Sequence, residues 1–195
     1  SPFMLHVVVP LVDGFRALYP DIELELNSSD QIIDLLEQRT DVAIRIGPLR
    51  DSTLHARPLG SSQRRVLASP AYLQRAGVPE TVDALRQHCL IGFTQPESLN
   101  LWPLRHAQGD GWMINPSLYA SSGETIRQLG LAGNGIVCLS DFMTAADCAL
   151  GNLVQVCPQD TLESMQPINA VYYRNTALAA RITCFIDYLS SHMVK

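Results

Sequence analysis

Residues 120–141 read ASSGETIRQLGLAGNGIVCLSD. Their order predicts strand end, capped helix, tight turn, buried strand and polar elbow. Ser121 stands three residues before Glu124, the spacing of a capping box, so a helix starts here. Ile126, Leu129 and Leu131 put apolar side chains along that helix. Gly130, Gly133 and Gly135 end it and turn the chain. Residues 136–139 form a short apolar run that suits a strand buried on both faces. The polar pairs Ser121 with Ser122 and Ser140 with Asp141 then fall near strand ends. A helix N-terminus at the carboxyl end of a strand can hold a small polar or anionic ligand through its backbone N–H groups. The plainer reading, that these residues only cap helices, fits the same spacing.

Upstream, apolar residues at Met4, Leu5, Val8, Leu11, Val12, Phe15 and Leu18 recur at three- and four-residue steps. They predict a helix that stops before Pro20, bent or reset in its first turns by Pro10. In residues 21–26, Ile22, Leu24 and Leu26 alternate with Glu23 and Glu25, the pattern of a half-buried strand. Ser28 and Gln31 form a second capping box before a helix expected over 30–38. Residues 41–47, DVAIRIG, predict another strand ending in a Gly-Pro turn. Helix, strand, helix, strand is the order of an α/β fold with a parallel sheet. A helix at the start of such a series ought to follow a strand, so a first strand is expected before Ser1.

Further on, 53–60 and 64–69 are two strand candidates, 70–76 a short helix closed by Gly77, and 81–88 another. Residues 89–93 return as an apolar strand, and 96–112 are irregular with weak strands near 101–104 and 111–114. Asp141 caps a helix to about Leu150. Strands are expected at 153–156 and 168–173, with a loop over 157–167 between them. A long final helix covers 177–193, with Ile182, Phe185, Ile186 and Leu189 inward. The α/β series thus occurs twice, with a strand–helix pair left over to complete the first half. That layout predicts two lobes joined by two crossings, with a cleft of the kind small ligands favour.

Bulk properties narrow the function. The chain has 195 residues, enough for one large or two small domains with a buried core. It is 47 % apolar and 17 % charged, which excludes a disordered or fibrous chain. The longest apolar run, 3–12, is broken by His6 and Pro10 and falls short of a membrane span. A net charge of −5, with Arg64 and Arg65 the one adjacent basic pair, argues against a DNA-binding unit in this chain. The five cysteines are odd in number and form no C-x-x-C, which fits scattered reduced thiols.

Motifs for nucleotide binding, zinc proteolysis and serine hydrolysis are absent from the sequence. The histidines are dispersed without ligand spacing, so no metal and no cofactor is expected. Asp30 with Asp34, and Glu23 with Glu25, fall on polar faces and read as solvated. Trp102 and Trp112 are read as buried area rather than ligand platforms. No nucleophile–base–orienter set can be assembled, so an enzyme is not expected.

The runs FRALYPDIELEL (15–26), DLLEQRTDVAIRIGPLRDSTLHARPLG (34–60) and RVLASPAYLQRAGVPETVDALRQHCLIGF (65–93) resemble the effector-binding part of LysR-type transcriptional regulators. So do SSGETIRQLGLAGNGIVCLSDFMTAADCALGNLVQV (121–156) and INAVYYRNTALAARITCFIDYLSSHM (168–193). The resemblance runs over essentially the whole chain and rests on the order and spacing of these pieces. It implies a periplasmic-binding-protein-like fold of type II: two Rossmann-like lobes joined by two crossover segments. Lobe I is expected as 1–67 plus 168–195, and lobe II as 68–167. An N-terminal winged helix-turn-helix, absent from this chain, is expected to precede them in a cytoplasmic bacterial regulator. The alternative of the same architecture is an extracytoplasmic solute-binding protein, against which the run from Arg57 to Leu73 speaks.

The resemblance also implies site residues. Ser1 and Pro2 at the start of the first helix, Arg45, Ile46 and Gly47 at a strand end, Ser121, Ser122 and Gly123, and Ser140, Asp141 and Phe142 are expected to face a small-molecule effector, often a carboxylate. It further implies a homodimer or tetramer built by antiparallel exchange, with DNA contacted only through the missing domain and no membrane partner. The expected contact residues are Ile22, Leu24, Ile32, Ile33, Leu36, Arg127 and Gln128. Ile33 sits about 100° around a helix from Ile32, so the two cannot serve one core line.

Overall fold

The computed structural model describes residues 2–28, 40–49, 54–173 and 180–193. The chain forms two compact units. A central unit holds residues 1–2 and 63–164, and a terminal unit holds 3–62 and 165–195. The helix expected over 30–38, with Ile32, Ile33 and Leu36, lies outside the described residues, as do Ser1 and the first turn of the expected final helix.

In the terminal unit, Pro10 leaves its mark as expected. Lacking an N–H, it cannot join an α ladder, and the preceding residues Met4–Val8 take a π turn before α1 (Val9–Leu18). The wider turn rotates the upstream residues out of register: Phe3 and Val8 are buried, whereas Leu5 faces outward. Phe15 anchors α1, its ring 5.3 Å from Phe185 and 5.4 Å from Tyr188. Both partners belong to α5 (Ala180–His192), which buries Ile182, Ile186 and Leu189. Strand β1 (Ala43–Ile46) pairs antiparallel with β9 (Met165–Tyr172), whose other neighbour is β2 (His55–Ala68). Residues 22–28 are assigned to no strand, contrary to the alternation of Ile22 and Leu24. Those two are only half buried and Leu26 is exposed, so alternation persists without a ladder. The two strand candidates at 53–60 and 64–69 are one 14-residue strand, β2, which carries on through Gly60.

The central unit is built on β2 from Gln63 onward. Arg64–Leu67 of this strand pair antiparallel with β7 (Val137–Ser140) on one edge, and its end pairs with β8 (Val154–Gln155) on the other. On its far edge β7 continues through Ile136, which exchanges backbone hydrogen bonds with the chain entering β3 (Ile91–Phe93), 2.9 Å from Ile91 and 2.8 Å to Cys89. Strand β3 then pairs in parallel with β6 (Leu118–Ala120). The order is β8–β2–β7–β3–β6, with the last three parallel. Alternate residues feed two cores. Val66, Ala68, Ile136 and Cys138 join Trp102, Leu104 and Trp112 on one face. Leu67, Val137 and Leu139 join Ile126, Met143 and Leu153 on the other.

Each face is covered by what the sequence supplies next. The irregular 96–112 stretch is a hairpin of β4 (Leu101–His106) and β5 (Gly109–Met113), and its Trp102 and Trp112 pack edge to face at 6.2 Å. The same face carries α2 (Pro70–Ala76), capped by Ser69 and ended by Gly77. The other face carries α3 (Gly123–Leu131) and α4 (Asp141–Ala149). Gly130 lies inside α3 rather than ending it. A Cβ there would sit 3.2 Å from both γ-carbons of Val137, so its absence lets the helix rest close on β7.

Gly135 is tighter still, since a Cβ would lie 2.5 Å from the Cys89 carbonyl oxygen. We expect Gly135→Ala to lower stability by about 1–3 kcal/mol through overpacking at the β3–β7 junction. Exposed Val78→Ala should change it by less than about 0.5 kcal/mol. Thermal unfolding of the two variants checks the difference.

Candidate functional site

Three parallel strands of the central unit end side by side, at Phe93, Ala120 and Ser140. Two of them lead straight into helices of nine residues each, α3 after β6 and α4 after β7. The helix N-termini therefore stand at the carboxyl ends of the strands, where a βαβ sheet gathers small ligands. Their free N–H groups carry partial positive charge.

The caps differ from the sequence reading by one residue. Ser122, not Ser121, is the N-cap of α3, and Ser140, not Asp141, is the N-cap of α4. Both sit in extended backbone, and neither side chain makes the capping hydrogen bond. The expected box between Ser121 and Glu124 does not form as a pair with the helix end. With Ser122 as the cap, Glu124 lies one place nearer the helix start than a box needs, and its Oε1 accepts instead from Arg127 Nη1 and Gln128 Nε2, each at 2.9 Å. Asp141, as the first residue of α4, accepts from Arg65 Nε at 2.8 Å. About a third of each of those two side chains is exposed, so the pair adds little stability, at most about 1 kcal/mol.

Apolar groups border the α3 start. Gly123 is buried, and a Cβ on it would lie 3.0 Å from Pro2 Cγ, 3.7 Å from Met143 Cε and 3.8 Å from Phe93 Cζ. Pro2 thus belongs to this corner of the central unit. Among the described residues, the central unit brings together Pro2, Ser121, Ser122, Gly123, Ser140, Asp141 and Phe142. Arg45, Ile46 and Gly47 belong to the terminal unit, at the end of β1. There Arg45 is opposite Asn169, and the Gly47 N–H donates to the Pro167 carbonyl at 2.9 Å. Gly47 has a φ of 97°, a conformation that favours glycine.

Sequence reading missed the basic groups behind the site. Arg64 and Arg65 follow each other in a strand, so they point to opposite faces and each needs its own partners. Arg64 is buried and donates to the carbonyls of Leu99 at 2.7 Å and Leu101 at 3.1 Å. It also lies against Cys138, whose thiol burial pushes up while the guanidinium pulls it down. Arg127 was expected at a dimer contact. Here Nε and Nη2 donate to the two Asp147 oxygens at 2.7 and 2.9 Å, joining α3 to α4. Burial pushes the Arg127 guanidinium pKa down, but hydrogen bonding and charge at Asp147, then Glu124, raise it overall. No group of three or more histidine, cysteine, aspartate or glutamate residues suited to a metal occurs among the described residues. No described helix is long and apolar enough to cross a membrane.

Comparison with known proteins agrees with this architecture. The family model for the LysR substrate binding domain matches residues 1–194. The chain belongs to the LysR substrate-binding domain family. A relative, the HTH-type transcriptional regulator CrgA of Neisseria meningitidis serogroup B, is 45 % identical over 188 residues, 96 % of this chain. The chain spans 63 % of the length of that regulator. DmlR, an HTH-type transcriptional regulator of Escherichia coli, is 30 % identical over 99 % of this chain and 63 % of its own length. Among solved structures, the CrgA regulatory domain superposes with a TM-score of 0.96 at 44 % identity, covering 100 % of this chain and 95 % of that one. The full-length virulence activator AphB of Vibrio cholerae, another LysR-family protein, gives 0.81 at 29 % identity over 98 % of this chain and 65 % of that one. The LysR domain fold is thus the periplasmic-binding-protein-like one of two α/β lobes expected from the sequence.

Proposed function

We propose that this chain is the effector-sensing domain of a bacterial LysR-type transcriptional regulator and binds a small, carboxylate-bearing metabolite without transforming it. In this reading the central unit is regulatory lobe II and the terminal unit lobe I. The observation that carries it is the pair of helix N-termini, those of α3 and α4, side by side at the carboxyl ends of the strands. Each helix start leaves backbone N–H groups for an anion, with the Ser122 hydroxyl beside those of α3. The helix ends favour a negative ligand by about 0.3–1 kcal/mol each, more when partly buried. Pro2, Phe93 and Met143 supply apolar surface beside that polar rim. By resemblance, Ser1, Arg45, Ile46 and Gly47 complete the ligand contacts, with Arg45 as counter-charge.

The full-length regulator is proposed to act in the cytoplasm as a homodimer or tetramer and to touch DNA only through a winged helix-turn-helix preceding this domain. Ile22, Leu24, Ile32, Ile33, Leu36, Arg127 and Gln128 are the proposed contact residues.

Two experiments test this reading. Candidate metabolites, with carboxylates first, are screened by thermal shift and then titrated by calorimetry into wild type and Ser122→Ala. Binding at least several-fold weaker in the variant is expected, and equal affinities would remove Ser122 from the site. Sedimentation of the domain at tens of micromolar should show a dimer that Ile33→Asp disrupts. A monomeric wild type, or a variant that stays dimeric, excludes the proposed contact.

A further inference from the structure

We propose that Arg127 is a positioning residue whose fork on Asp147 sets the register of α3 against α4, and with it the spacing of the two helix N-termini. Its functional meaning rests on the effector reading above. Its geometry rests on the central unit alone.

The contact is two-pointed: Nε to Oδ2 at 2.7 Å and Nη2 to Oδ1 at 2.9 Å. A planar fork meeting a carboxylate this way restricts both sliding and rotation, which a single point charge does not. The side chains are 15 % and 8 % exposed, so water screens the pair little. The third nitrogen, Nη1, is taken by Glu124 one turn back on the same helix. The guanidinium is therefore engaged on all three nitrogens within its own unit.

Both anchors sit on pinned backbone. The Asp147 carbonyl accepts from the N–H of Asn152 at 2.9 Å and of Leu153 at 3.3 Å, fixing the far end of α4. On α3, Gly130 rests against Val137 one turn beyond Arg127. Arg127 is four residues from the start of α3, about 6 Å along the axis at 1.5 Å per residue. Asp147 is six residues from the start of α4, about 9 Å on the same rule. A helix is stiff over such lengths, so movement at the fork reaches both N-termini. Stability alone does not require the pair, because apolar residues of similar volume often replace a buried ion pair without loss.

The test uses the 195-residue chain and needs no ligand. Arg127→Met alone leaves Asp147 uncompensated and should lower the melting temperature by roughly 6–20 °C. Combining it with Asp147→Leu should recover most of that loss. Backbone amide exchange is then read at 126–129 and 145–148, where the first helical hydrogen bonds form, with 137–140 as the internal reference. In the double variant and in Arg127→Lys we expect exchange at both helix starts to be about tenfold faster or more, with the reference unchanged. If the double variant recovers wild-type exchange along with its melting temperature, the pair is only structural and the proposal is wrong. If the double variant does not fold, Arg127→Lys decides alone: faster exchange supports positioning, and wild-type exchange overturns it. A melting temperature unchanged in Arg127→Met also overturns it. None of these results depends on which metabolite binds, so they stand apart from the titration that tests the effector reading.

Discussion

The central unit depends on one strand being buried on both faces and hydrogen-bonded on both edges. All residues from Ile136 to Ser140 are buried. Their backbone groups have no water to turn to, so each edge needs a neighbour. Strand β2 supplies one edge, antiparallel, and the chain entering β3 supplies the other, parallel. Burying Ile136, Val137 and Leu139 contributes about 1.5–3 kcal/mol each, which the paired backbone makes usable. Gly135 is needed at the entrance because a side chain there would strike the Cys89 carbonyl. Ser140 is needed at the exit because the strand must end there and a helix begin.

From that strand the chemistry of the rim follows. With β6 and β7 parallel on either side of β3, the connection between them must cross the sheet, and α3 makes the crossing. Both helices then start at the same end of the sheet. Positive helix ends, two serines and a bordering apolar corner are a consequence of this topology rather than of any single motif. The formal charges nearby are already paired: Arg65 holds Asp141, and Arg127 holds Asp147 and Glu124. A ligand would thus meet backbone dipoles rather than an isolated side-chain charge on this side.

The parts of this that can be read in the sequence are those carried by local pattern. The apolar run 136–139, the short helix 70–76 with its Gly77 stop, and the inward face of the last helix depend on near neighbours, and the structure has them. Pro10 signalled a disturbed helix, though not that the disturbance would be a π turn. The cap of α3 was misplaced by one residue because Ser121 and Ser122 are equivalent as letters, and only the backbone says which one is extended before the helix. Residues 22–28 alternate as a strand should, yet pairing is a property of a neighbour and not of the alternation. Arg127 and Asp147 are twenty residues apart, and nothing in either segment marks the other as its partner. For the site, the segments around Ser122 and Ser140 were legible as helix starts at strand ends. Pro2 joins them through the family resemblance, whereas the approach of Phe93 and Met143 to the start of α3 was not legible, because it arises from packing between distant parts of the chain.

The most direct test of the account is to map a ligand onto the backbone. The domain, labelled with nitrogen-15, is titrated with whichever metabolite most raises its melting temperature, and amide shifts are followed. The account predicts the largest changes at 122–124 and 141–142, the two helix starts. It would be contradicted by a saturable response that leaves those amides still and gathers elsewhere, such as the open depression lined by Thr81, Asp83, Arg105, His106 and Asp160.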